Sequence, residues 1–153
     1  MSTIFADAIE KTLRRLGEHC SQKGGQLTDI RRLILGLLLK TGQPVKAYDL
    51  IEEAGRLGRK MTPTTIYRAL DFLIDNGLVH KVNALNAYVA CTEQSVPLVH
   101  EPLLLVCPDC RKTSEINDPD LMDSIFAKLE SLGFSISGGS IEVHGQCRSC
   151  SSK

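Results

Sequence analysis

The chain has 153 residues, 42 % of them hydrophobic, an ordinary share for a globular protein and enough for one packed domain or two small ones. Its formal net charge is +0, yet residues 1–85 hold 13 Lys and Arg against 9 Asp and Glu (+4), and the remainder holds 5 against 9 (−4). A basic half suits a polyanionic partner and an acidic half suits something else, such as a second copy of the chain. Residues 1–10 lack the basic start and long apolar stretch of a signal peptide, and the longest apolar run, 33–39, is broken by Gly36. The expectation is a soluble cytoplasmic protein with no membrane segment, in which the six cysteines stay reduced.

The pattern predicts a first helix capped by Ser2 or Thr3, with Phe5, Ile9, Leu13 and Leu16 on one face, ending before Lys23. His19 and Cys20 are neighbours in sequence, so they do not face one another on a helix and are given no ligand role. Leu27 and Thr28 start a second helix whose stripe, Ile30, Leu33, Ile34, Leu37 and Leu38, marks it as core. A third, shorter helix runs through Ala47, Leu50, Ile51 and Ala54, followed by a basic loop with Arg56, Arg59 and Lys60. The fourth begins with Thr62 as cap and Pro63 at its first position, and buries Ile66, Ala69, Leu70, Leu73 and Ile74. Its exposed early turns carry Thr64, Thr65, Tyr67 and Arg68, as the recognition helix of a helix-turn-helix does. Tyr48, Arg59 and Lys60 are the further candidate DNA contacts.

Residues 78–82 and 87–91 then read as two strands around a turn at 83–86, a wing. After a looser stretch, 103–106 is a buried strand, 113–116 pairs back onto it, and Asp118 and Pro119 open a last helix that Gly133 ends. Further strands are expected at 134–136 and 141–144. The fold class is therefore α+β: an N-terminal winged-helix DNA-binding domain, residues 1–91, a hinge at about 92–101, and a small α/β dimerisation domain, 102–153.

Cys107 with Cys110 and Cys147 with Cys150 form two C-x-x-C pairs. Each such turn sets two sulfurs on one side of the backbone, and two turns complete a tetrahedral zinc site with metal to sulfur distances near ~2.3 Å. Two disulfides, or a redox pair beside an idle pair, are the alternatives, and reduced cysteines favour metal. His80, Cys91, His100 and Glu115 are further potential ligands. His80 and Cys91 fall on neighbouring strands, opposite or diagonal according to the turn, and a structural role for each stays open.

Leu27-Thr28 with Arg31, Ala47-Tyr48-Asp49-Leu50, Thr65-Ile66-Tyr67-Arg68-Ala69-Leu70, the first cysteine pair, and His144-Gly145 before the second carry a family resemblance over nearly the whole length. The chain resembles the ferric uptake regulator family, most closely its zinc uptake regulator branch. The resemblance implies a homodimeric, zinc-responsive repressor that binds palindromic operator DNA, represses zinc-uptake genes and has no small-molecule substrate. It also implies two zinc ions per subunit: a structural one on the four later cysteines and a regulatory one on His80, Cys91, His100 and Glu115. One sulfur, two imidazoles and one carboxylate suit tetrahedral zinc better than iron or manganese, the alternative metals within the family. A zinc hydrolase or deaminase is the reading from another class. Its H-x-E and P-C-x-x-C signature fails here, because Glu101 directly follows His100 and Pro108 lies inside the cysteine turn.

Overall fold

The computed structural model describes residues 4–91, 102–137 and 140–152. Four helices come first: α1 (Asp7–Gln22), α2 (Asp29–Thr41), α3 (Ala47–Arg56) and α4 (Pro63–Asp75). The other three all pack on α2, so its run from Leu33 to Leu38 is buried on every side, the mark of a core helix. Phe5 precedes α1 instead of lying on it, and its ring fills the space over Gly36 of α2, where a Cβ would overlap it. The expected caps Ser2 and Thr3 lie outside the described residues; α1 starts after Ala6 with Asp7 and Glu10 in its first turn, where the helix dipole favours anions. Arg31 donates to the Gln26 carbonyl at 2.6 Å and stacks 3.5 Å over the Phe72 ring, fastening the turn before α2 onto α4.

The α4 helix forms as its sequence dictates. Thr62 accepts the Thr65 N–H at 3.3 Å and Pro63 takes the first position. At the other end Gly77 has φ +70°, and the N–H of Leu78 reaches back to the Leu73 carbonyl at 2.8 Å. The wing follows as β1 (Val79–Val82) and β2 (Ala87–Ala90), antiparallel, joined by a 3-10 turn at Asn83–Leu85. Tyr88 also bridges Val45, which ties the wing to the loop before α3. Alternation along the hairpin sends Val79, Tyr88 and Ala90 into the helical core, whereas Val82 and Val89 face away from it, onto Leu104 and Val106. Both faces of the hairpin are thus buried.

Those two residues belong to β3 (Leu103–Val106), the centre of a sheet in the order β4-β3-β5. Its neighbours are β4 (Thr113–Ile116), antiparallel, and β5 (Ile141–His144), parallel, with α5 (Pro119–Ser131) between them in sequence. Asp118 caps α5, accepting the Leu121 N–H at 3.0 Å. The strand expected at 134–136 does not form. The Phe134 N–H is engaged by the Leu129 carbonyl at 3.0 Å as Gly133 (φ +76°) closes the helix, and β3 already has a partner on each side. A short helix, α6 (Arg148–Ser151), ends the described chain. No helix among the described residues is long and apolar enough to cross a membrane.

Candidate metal centres and nucleic-acid face

The first cysteine turn follows β3 directly, and the second opens α6 just after β5, so parallel pairing of β3 with β5 brings the two turns side by side. The four sulfurs of Cys107, Cys110, Cys147 and Cys150 all lie within 4.8 Å of one another. Cys110 Sγ and Cys147 Sγ are 3.7 Å apart. That is the edge of a tetrahedron, about 3.8 Å, around a metal with bonds of ~2.3 Å. Gln146 donates to Asp109 at 2.9 Å and braces one turn against the other, a contact the sequence did not reveal.

The thiols are tuned to match. Backbone N–H groups of Cys147 and Cys110 point at the Cys107 sulfur and lower its pKa to about 6. Cys147 is lowered as well, chiefly by the Cys150 N–H. Cys150 donates its own proton to the neighbouring sulfurs, Cys147 first, and is held up to about 12. A protein without metal therefore keeps at least one proton in the cluster, and a divalent cation would replace it. None of the six cysteines is paired in a disulfide.

A second cluster lies where the wing meets the sheet. His80 of β1 pairs with Val89 of β2, and Cys91 follows two residues after Val89, so His80 and Cys91 share a face on the diagonal. Glu115 of β4 projects toward them from the sheet. Its carboxylate lies 3.3 Å from His80 Nε2, and 3.6 and 3.7 Å from Cys91 Sγ. The site is dry, with His80 7 % and the Glu115 side chain 5 % exposed. One nitrogen, one sulfur and a carboxylate within 4.8 Å of one another form a donor set of the kind zinc takes. His100, the fourth expected ligand, lies outside the described residues, as does the hinge at 92–101. Cys20 is enclosed in the helical core, away from both clusters, where burial pushes its thiol up and keeps it neutral.

Glu142 of β5 was not foreseen as functional. Its side chain is 9 % exposed and reaches the tip of the wing, where one oxygen accepts the Asn83 N–H at 2.6 Å and the other the Ala84 N–H at 3.1 Å. Burial pushes this carboxyl up, but the two N–H groups and His144, 3.3 Å away, outweigh it and hold it below the usual carboxylate range. The only signal available in the sequence was a carboxylate alternating with Ile141 and Val143.

On the helical unit, Tyr48, Arg59, Lys60, Thr64, Tyr67 and Arg68 are exposed, Tyr48 to 68 %. Thr65 is half-buried, and its hydroxyl is 2.9 Å from that of Thr62, so it helps to build the cap of α4. Arg68 forms no ion pair among the described residues, which leaves its guanidinium available to an outside acceptor.

Known proteins share this fold. Residues 22–144 match the ferric uptake regulator family. The zinc uptake regulation protein of Escherichia coli (strain K12) is 31 % identical over 141 residues, covering 92 % of this chain and 82 % of the relative. Among solved structures, a zinc uptake regulator complexed with zinc and DNA matches with a TM-score of 0.85 at 30 % identity, over 96 % of this chain and 97 % of that one. The holo form of XcZur matches at 0.80 with 37 % identity, over 94 % and 99 %. Its apo form matches at only 0.53, with 38 % identity over 95 % and 99 %. Sequence and fold alike place this chain in the ferric uptake regulator family.

Proposed function

We propose that the chain is a zinc-responsive transcriptional repressor, a homodimer that binds operator DNA when the junction site is loaded and so represses zinc-uptake genes. It is a regulator and not an enzyme. Residues 1–91 are the DNA-binding unit, 102–153 the dimerisation unit and 92–101 the hinge. Two zinc ions per subunit serve the two clusters. Cys107, Cys110, Cys147 and Cys150 hold the structural one, and His80, Cys91 and Glu115, with His100 from the hinge, hold the regulatory one.

The observation that carries this reading is that His80 and Cys91 ride on the wing whereas Glu115 rides on the sheet, and the three donors meet in a buried junction. Zinc bound there supplies the positive charge that makes a closely packed carboxylate and thiolate favourable. Without the ion the wing and the sheet lose the one centre that all these donors share, and the junction loosens. A closed junction fixes the angle between wing and sheet. In a two-fold dimer that angle sets the spacing of the two α4 helices, which must be about 34 Å to enter successive major grooves. The closer match to holo than to apo XcZur, at nearly equal identity, supports two arrangements of the halves with this chain in the loaded one.

On the DNA face, Arg68 reads a base edge, while Tyr48, Thr64, Thr65 and Tyr67 contact bases, thymine methyls or phosphates nearby. Arg59 and Lys60 hold phosphates. Operator binding measured at buffered concentrations of free zinc, iron(II) and manganese(II) tests the proposal. Zinc should promote binding at the lowest free concentration. Equal or better promotion by iron or manganese would overturn the choice of metal.

A further inference from the structure

In the sheet, Leu104 of β3 stands in register with Glu115 on one side and Glu142 on the other. Residues in register point to the same face, so two carboxylates flank Leu104, about 10 Å apart across two strand spacings. That face is the one on which the wing sits, with Leu104 packed against Val82 and Val89. Glu115 meets the base of the wing at His80 and Cys91. Glu142 meets its tip, where the first N–H groups of the 3-10 turn have no partner within the turn, and each of its oxygens takes one. His144, on the same face two residues on, steadies the carboxylate from its solvent side.

We propose that Glu142 is a positioning residue: a metal-free latch that ties the wing tip to the dimerisation sheet and lowers the zinc concentration needed to close the junction. The inference rests on the zinc-dependent closing proposed above. A latch between the two halves forms only when the wing is seated, so it stabilises the closed arrangement and contributes nothing to the open one. Any interaction made in one state alone shifts the population toward that state, and zinc then has less to supply. Two hydrogen bonds to one carboxylate, in a position 9 % exposed, correspond to a shift of about tenfold in the zinc midpoint. The latch does not touch zinc, so it leaves the ligand set of the metal unchanged.

Operator binding of the full-length wild type, Glu142→Ala and Glu142→Gln should be titrated against buffered free zinc, and amide exchange followed in the zinc-loaded proteins. Glu142→Ala should move the midpoint to about tenfold higher zinc while reaching the wild-type plateau, and should speed exchange at Asn83 and Ala84 but not within β1. Glu142→Gln, which keeps one acceptor oxygen, should fall between. A wild-type midpoint with unchanged exchange at Asn83 and Ala84 in both variants overturns the latch. If Glu142→Ala lowers the plateau through misfolding, Glu142→Gln decides on the same two readouts. Should the wild type itself bind operator without regard to zinc, the repressor mechanism fails; exchange at Asn83 and Ala84 then still decides whether the latch exists.

Discussion

The Cys91 N–H donates to the Leu78 carbonyl at 2.9 Å, and its sulfur lies 3.6 and 3.7 Å from the buried carboxylate oxygens of Glu115. Replacing Cys91 with serine keeps a side chain of nearly the same shape and the backbone pairing but removes the sulfur donor. Cys91→Ser should keep the zinc of the four-cysteine cluster, remain a folded dimer, and lose zinc-dependent operator binding. Metal content and anisotropy on one sample check this, and a variant that still responds at wild-type zinc concentrations contradicts it. Arg68 offers a different kind of test. An arginine paired to a base edge contributes about 1 to 3 kcal/mol of discrimination, so Arg68→Ala should flatten preference at one operator position, whereas Arg59→Ala or Lys60→Ala should weaken all sequences alike. Unchanged sequence ranking with Arg68→Ala would place that residue on phosphate.

Elements here are set mostly by local chemistry and in a few places by contacts made far along the chain. Thr62→Ala removes the side-chain cap of α4 and should cost about 1 kcal/mol in urea unfolding, without changing the zinc midpoint of the operator-bound state by more than the lost stability. Gly36→Ala on α2 should destabilise more, by about 1 to 3 kcal/mol, because the new methyl displaces the Phe5 ring. Adding Phe5→Ala should recover little, since it empties the same site. The caps of α4 and α5, the stripe of α2 and the two cysteine turns were legible in the sequence because each depends on residues a few positions apart. The absent strand at 134–136 was not, since its donor is taken by the end of α5 and the central strand β3 already has a partner on each side. The diagonal placement of His80 and Cys91 depended on a 3-10 turn that alternation alone does not specify. Glu142 was the least legible, because its partners are backbone groups 58 and 59 residues away that carry no sequence identity.

At the scale of the molecule, the wing hairpin is an intermediary, with its inner face in the helical core and its outer face on the C-terminal sheet. The four-cysteine cluster fixes β3 relative to β5, and through them the row that carries Glu115, Leu104 and Glu142. The C-terminal sheet and α5 bury few large side chains, and Leu105, Leu121, Leu132, Phe134 and Val143 remain exposed in the single chain, so metal and dimer must supply what the core does not. Cys107→Ser should therefore lose the structural zinc, unfold the C-terminal unit and dissociate the dimer, as sedimentation and metal analysis would record. A well-folded, dimeric Cys107→Ser protein with full zinc content contradicts that role. In the proposed mechanism one equilibrium, the seating of the wing on the sheet, links zinc to DNA. Linkage requires the effect to be reciprocal. The most direct measurement is the affinity of the regulatory zinc with and without saturating operator DNA. Operator should tighten zinc binding by the same factor by which zinc tightens operator binding; an identical zinc affinity with and without DNA would rule that linkage out.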